Sequence, residues 1–258
     1  MLDLSRLLDV ARGAAEAGGV VVLDAFGSAR DVRAKAPGDW VSATDTASER
    51  IVRAALLKGE PSIPVHGEEE GGERADLEWL VDPLDGTANF LHEFPVVGVS
   101  VALVAAGRPV VAVVHAPMLG NTYWATDGGG AWCNGERLEI SRRSVDEAIC
   151  ATGFPFRKKR DRLDEYFPVF ERALRTFEDL RRAGAASLDL AWTSAGVFDG
   201  YFEQALGPWD VAAGALLVRE AGGVVTDWRG DDAAWLYSGD IVAAPQHVHE
   251  AILTLINP

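Results

Sequence analysis

A layered α/β fold, with helices and strands mixed rather than strictly alternating, is what the 258-residue sequence predicts. Three observations lead there. Apolar residues recur at helical spacing near both ends of the chain. The middle third is dominated by valine-rich extended runs. No regular strand–helix–strand order runs through the chain, as a doubly wound parallel sheet would require. Hydrophobic residues make up 48% of the chain, enough for a large core in one compact domain or two tightly joined halves.

The elements follow in order. Leu4, Leu7, Leu8, Ala11, Ala14 and Ala15 share one helical face, so the first helix runs to about residue 26. A polar, turn-rich stretch over 27–39 carries Lys35. A second helix is expected over 47–58, with Ile51, Val52, Ala55 and Leu56 on one face and Gly59, Pro61 and Pro64 ending it. Strands are expected at 79–81, 96–104, 109–114 and 121–126, and Asn134-Gly135 signals a hairpin because both residues tolerate positive φ. Helices follow at 163–177 and 187–196, then an extended run at 197–203. A small-residue helix over 211–221 stops at Gly222-Gly223, and strands at 224–226 and 242–244 and a helix at 247–256 close the chain. A polar seam at 141–148 divides an N-terminal half, 1–145, from a C-terminal half, 146–258.

Charge and composition narrow the function. The net charge of −15 disfavours duplex nucleic acid, whose phosphates demand Lys and Arg. An acidic protein that handles phosphate would need cations as intermediaries. No stretch approaches the roughly 20 apolar residues of a membrane helix. Carboxylates among the first leucines and alanines (Asp3, Asp9, Glu16) argue against a secretory signal, so a cytoplasmic protein is expected. Cys133 and Cys150 offer neither zinc spacing nor a disulfide framework.

Four constellations carry the chemistry. In the first, an apolar run ends in Asp82, and Asp85 follows after Pro83, with Gly86 and Thr87 opening a short helix toward Asn89 and Phe90. Two carboxylates around a fixed turn can converge on hard cations, and free backbone N–H groups at a helix start suit a phosphate oxygen. The bland alternative is a capped turn. The second is Gly67-Glu68-Glu69-Glu70-Gly71, which alone reads as a solvated acidic loop. In the third, Asp210 follows Trp209 at a helix start, with small residues behind it and Glu220 to Gly223 further on. The fourth runs from Asp39 to Asp45 and ends in Ser42, Thr44 and Asp45. Capping is the ordinary account of Asp45 and Asp210. A hydroxyl and a carboxylate held together could instead orient and deprotonate a water.

Taken together, the four resemble the inositol monophosphatase family of lithium-sensitive, metal-dependent sugar phosphatases, in order and interval over essentially the whole chain. The resemblance implies a five-layered αβαβα sandwich with the site between the halves. It implies two to three Mg²⁺ ions. Glu68, Asp82 and the Leu84 carbonyl would hold the first, and Asp82, Asp85 and Asp210 the second, with Glu68 helping to place a weaker third. Thr87 and Asp45 would orient the attacking water, Gly86 and Thr87 would grip the phosphate, and Lys35 would approach from a loop. Glu203 would bind substrate hydroxyls, and the segment of Gly184, Ala185 and Ala186 would pack on the ring. The sequence departs from the family's pattern at Ala185, where a hydroxyl residue is common; a serine stands at Ser187 instead.

The implied activity is hydrolysis of a small phosphorylated polyol or sugar, inositol monophosphate first, by a homodimer. Relatives act on fructose-1,6-bisphosphate, 3′-phosphoadenosine nucleotides, histidinol phosphate or NADP; the run from Asn89 through His92 to Pro95 favours inositol monophosphate. Some bacterial relatives instead bind the transcription machinery. Other signals are weaker. Ser100 between Gly98 and Ala102 lies in an unbroken strand run, where a nucleophile elbow needs a sharp turn. Gly128-Gly129-Gly130 leads to no helix, and no EF-hand spacing surrounds Asp82. The basic run from Arg157 to Arg160 reads as a solvated helix start or a local anionic-partner patch.

Overall fold

The computed structural model describes residues 2–28, 32–36, 39–155 and 159–258, apart from the side chains of 35, 36, 39 and 159–161. Helix α1 (Leu4–Ala25) starts where Asp3 accepts a hydrogen bond from the Arg6 N–H. Its buried stripe contains the expected Leu7, Ala11, Ala14 and Ala15. A two-stranded hairpin, β1 (Arg33–Ala36) and β2 (Asp39–Val41), occupies the stretch expected to be turn-rich. Helix α2 (Ala43–Gly59) begins four residues earlier than periodicity suggests, because Ser42 and Asp45 form a reciprocal capping box. Val52 and Leu56 face the core as expected, whereas Ile51 is exposed. Gly18 lets α1 and α2 touch: a Cβ there would lie 2.6 Å from Val52 Cγ2.

The larger sheet has seven strands: β3 (Val65–Gly67), β4 (Leu77–Asp85), β5 (Gly98–Ala105), β6 (Arg108–Ala116), β7 (Asn121–Thr126), β8 (Gly130–Cys133) and β9 (Glu136–Arg137). They lie in chain order and pair antiparallel, except that β3 runs parallel to β4. Strands β4 and β5 are buried on both faces, which explains their continuous apolar sequence. Ser100 sits mid-strand in β5, and its hydroxyl donates to the Trp209 carbonyl. The triple glycine is a turn into β8, held by the Glu220 carboxylate through the Gly128 and Gly130 N–H groups.

The smaller sheet holds β10 (Ile149–Thr152), β11 (Asp179–Arg181), β12 (Gly200–Glu203), β13 (Val224–Thr226) and β14 (Ile241–Ala244), in the spatial order β11-β10-β12-β14-β13. The remaining helices are α3 (Thr87–Leu91), α4 (Lys159–Thr176), α5 (Ala186–Ser194), α6 (Pro208–Glu220), α7 (Trp235–Ser238) and α8 (Gln246–Ile256). Helices α1 and α2 cover the outer face of the larger sheet; α5 and α6 pack between the sheets; α4 and α8 cover the outer face of the smaller one. The result is the five-layered αβαβα sandwich. Three apolar clusters fill the gaps between successive layers, and the central one joins Leu188, Leu190 and Leu217 to Ala112 and Val114. Among the described residues no helix is long and apolar enough to cross a membrane.

Candidate metal centre

Strand β4 positions the two central aspartates. In an unbroken strand, residues three apart face opposite sides. Here the pairing shifts between Asp82, opposite Ser100, and Asp85, opposite Gly98, so three steps on β4 span two on β5. That bulge turns Asp85 to the side of Asp82, and Pro83 occupies it without wasting a ladder N–H. The sequence placed these residues after the strand; they lie in its distorted end. The Leu84 N–H donates to Asp82 Oδ1 at 3.0 Å.

Glu68 arrives from the loop after β3, its N–H bound to the Val81 carbonyl at 3.1 Å. Asp210 arrives from the first turn of α6, where Oδ2 accepts the Gly207 N–H at 2.7 Å. Oxygens of Glu68, Asp82 and Asp210 lie within 4.8 Å of one another. Asp85 completes the group electrostatically, and its Oδ2 accepts both the N–H (2.7 Å) and the hydroxyl (2.5 Å) of Ser187. Ser187, the serine two residues after Ala185, thus aims a carboxylate of the cluster.

The electrostatics are those of a site short of positive charge. Burial pushes the Asp82 carboxyl well above the usual carboxylate range, reinforced by the charges of Glu68, Asp85 and Asp210. Burial and Asp210 raise Asp85 to about 6. Concentrated hard oxygen donors of this kind fit Mg²⁺ or a similar divalent cation, which would relieve their mutual repulsion.

Gly86, Thr87, Ala186 and Glu203 border the same cleft, about 760 Å³ of space open to solvent, and Asp45 joins it through Thr87. The Thr87 hydroxyl lies 3.0 Å from Asp45 Oδ1 and 3.2 Å from the Leu84 carbonyl. Asp45 Oδ2 accepts the N–H and hydroxyl of Ser42, at 2.8 and 2.6 Å. Burial raises the Asp45 carboxyl; the Ser42 and Thr87 hydrogen bonds oppose the rise. Gly86 caps α3 at φ +90°, and a Cβ there would meet the Val96 carbonyl at 2.9 Å. Ala186 and Glu203 line the far wall. The Lys35 side chain lies outside the described residues, as do Arg157, Lys158 and the side chains of Lys159 and Arg160.

Several residues around the site escaped the sequence reading. Tyr201 donates its hydroxyl to Glu203 Oε2 at 2.6 Å, and Gly153 leaves no room for a Cβ beside that carboxylate. Burial raises Glu203 to about 7, against the Tyr201 hydrogen bond and the nearby Arg182 guanidinium. Trp40 and Phe154 wall the mouth, with Arg182 over the Phe154 ring. Asp189 on α5 is fully buried with both oxygens outside hydrogen-bonding geometry; burial, then Glu203 and Asp85, drive its pKa well up, against the Arg182 guanidinium and then the Gly184 N–H. A carboxyl raised on folding favours the folded state only below its unfolded pKa, near 3.9, and withdraws that support at about 1.4 kcal/mol per pH unit up to its folded value. Asp189→Asn is therefore expected to gain melting temperature over the parent as pH rises from 5 to 8 in chelator. Parallel curves for the two proteins would remove Asp189 from this account.

A family model described as the inositol monophosphatase family matches residues 3–257. The chain belongs to the inositol monophosphatase family. It is 45% identical over 234 residues to a Pseudomonas aeruginosa protein named Nus factor SuhB, covering 88% of this chain and 86% of that one. It is 38% identical over 258 residues to an Aquifex aeolicus protein named fructose-1,6-bisphosphatase/inositol-1-monophosphatase, covering 98% and 96%. Among solved structures, extragenic suppressor protein SuhB from Bartonella henselae superimposes with a TM-score of 0.91 at 33% identity over 97% of this chain and 98% of that one. An IMPase from Thermotoga maritima does so with a TM-score of 0.89 at 32% identity, covering 97% and 96%.

Proposed function

We propose that this protein is a Mg²⁺-dependent phosphomonoesterase acting on a small phosphorylated polyol or sugar, inositol monophosphate first. One observation carries the reading: three carboxylates from separate segments converge within 4.8 Å, next to Asp85 and the Thr87–Asp45 pair. Glu68, Asp82 and the Leu84 carbonyl would hold one ion, and Asp82, Asp85 and Asp210 a second, with Glu68 available to a third. When bound, Mg²⁺ supplies charge neutralisation and Lewis-acid polarisation of the phosphoryl group.

The protein's own groups do the rest. The Gly86 and Thr87 N–H groups, with Lys35, are assigned to the phosphate oxygens. A Thr87 hydroxyl that donates to Asp45 keeps lone pairs to accept a hydrogen bond from the attacking water, so the pair orients it and Asp45 receives its proton. Phosphoryl transfer asks mainly for such positioning. Glu203, braced by Tyr201, accepts from substrate hydroxyls, and Ala186 gives the ring a smooth wall.

The test is phosphate release from a panel of monoesters with Mg²⁺ and in excess chelator. Turnover of inositol monophosphate that stops in chelator is expected, and Glu203→Gln should change the ranking of substrates more than the best rate. Faster release from a nucleotide than from inositol phosphate would overturn the substrate assignment; release undiminished in chelator would end the metal reading.

The relatives named Nus factor SuhB support a second reading, in which the chain also serves in a transcription assembly. An Asp85→Asn variant separates the two. If it loses hydrolysis yet restores the cellular phenotype of a deletion, assembly is the primary role.

A further inference from the structure

Three consecutive glutamates on a loop repel one another and, left alone, point to water. Here they are sorted, and helix α2 does the sorting. Glu49 is completely buried in the middle of that helix. Its Oε2 accepts the Glu69 N–H at 2.7 Å, and its Oε1 accepts the Glu70 N–H at 3.0 Å and Arg53 Nη2 at 2.9 Å. Arg53 in turn donates to the Val65 carbonyl (2.8 Å) and the Gly71 carbonyl (2.7 Å), bracketing the loop at entry and exit. Arg50 draws the Glu70 side chain outward at 2.8 Å. Glu68 stays joined to the metal-site strand through the Val81 carbonyl, one residue before Asp82. Contact with Glu49 is so close that a Cβ on Gly67 would sit 2.2 Å from the carboxylate.

We infer that Glu49, paired with Arg53, is a positioning residue that presents Glu68 to the divalent cation. The inference rests on the proposed function, in which Glu68 is a ligand. A carboxylate is required because two backbone N–H groups and a guanidinium all need acceptors from one side chain. Glutamine of the same shape turns one oxygen into a donor that faces another donor, which frees part of the loop and leaves Arg53 only its longer pair with Glu70, at 3.8 Å.

Partners that hold a ligand in place typically contribute about ten- to a hundredfold in metal affinity. The experiment is calorimetric titration of the chelator-stripped full chain with Mg²⁺ alone, backed by terbium luminescence, for Glu49→Gln, Gly67→Ala and Glu68→Gln. Glu49→Gln is expected to weaken Mg²⁺ binding about tenfold or more, while turnover at saturating Mg²⁺ recovers to within about threefold. Gly67→Ala displaces the same carboxylate without removing it and should shift binding in the same direction, which serves where Glu49→Gln folds poorly. Lowered melting temperature with unchanged Mg²⁺ affinity in either variant makes Glu49 merely structural and overturns the inference alone. Unchanged affinity in Glu68→Gln overturns the ligand assignment and this inference with it.

Discussion

Asp82→Asn is expected to reduce turnover by about three orders of magnitude and yet to raise the melting temperature of the metal-free protein. The two effects share a cause. Asp82 is only 1% exposed and faces Glu68, Asp85 and Asp210, so its charged form is disfavoured by burial and then by like charges. Asparagine keeps the acceptor that meets the Leu84 N–H and drops the charge. On the proposed ligand assignment, the loss of Asp82 removes several kcal/mol of charge stabilisation, which at 1.36 kcal/mol per decade is the stated drop. Without metal, the same change relieves repulsion and should add about 1 kcal/mol.

Sign and pH window follow from linkage. A carboxyl whose pKa rises on folding favours folding below its unfolded value, near 3.9, and costs progressively more as pH increases toward the folded value. The advantage of Asp82→Asn in chelator should therefore vanish near pH 3.5 and grow toward neutrality. Added Mg²⁺ binds the parent's folded state and should reverse the order. Melting curves at two pH values, with and without Mg²⁺, check this. A variant less stable than the parent in chelator at pH 7 would contradict the charge argument, and near-normal turnover would contradict the ligand assignment.

The site was legible where chemistry and local pattern coincide. Asp82 and Asp85 follow an apolar run, and Asp45 and Asp210 stand at helix starts, so each stood out as a carboxylate at a place where scaffolds present functional groups. Their bland roles hold as well: Asp45 closes a capping box with Ser42, and Asp210 accepts the Gly207 N–H at the start of α6. Capping fixes such a carboxylate rigidly, so one oxygen serves the helix and the other is left for the site.

What stayed hidden depends on long-range contact. Ser187 and Asp85 are 102 residues apart, and no local signal links them. The hairpin β1–β2 and the short strands β9 to β11 are too brief for periodicity to register. One clue was available. Asp45, Ser48 and Glu49 share the face of α2 that carries Val52 and Leu56, and polar groups on an apolar stripe signal buried partners. Each reaches a different part of the site: Thr87, the Pro83 carbonyl and the Glu68 loop. Helix α2 thereby ties together three segments that are far apart in sequence.

Thr87→Ala provides the sharpest check on the proton-handling half of the mechanism, with an expected fall in turnover of about a hundredfold. Asp45 cannot be probed as cleanly, because it also accepts the Ser42 N–H and caps α2, and replacing it disturbs the helix start. Thr87 has one hydroxyl proton and two acceptors within reach, Asp45 Oδ1 and the Leu84 carbonyl. If it donates to Asp45, deletion removes the link between water and base and leaves the carboxylate cluster whole. Turnover should fall while the Mg²⁺ titration midpoint and the apparent KM hold, and Thr87→Ser, which restores the hydroxyl, should return most of the rate. If it donates to Leu84 instead, its task is to hold a carbonyl ligand, and the Mg²⁺ midpoint should move with the rate. A shifted midpoint in Thr87→Ala would therefore reassign the hydroxyl from the water to the metal.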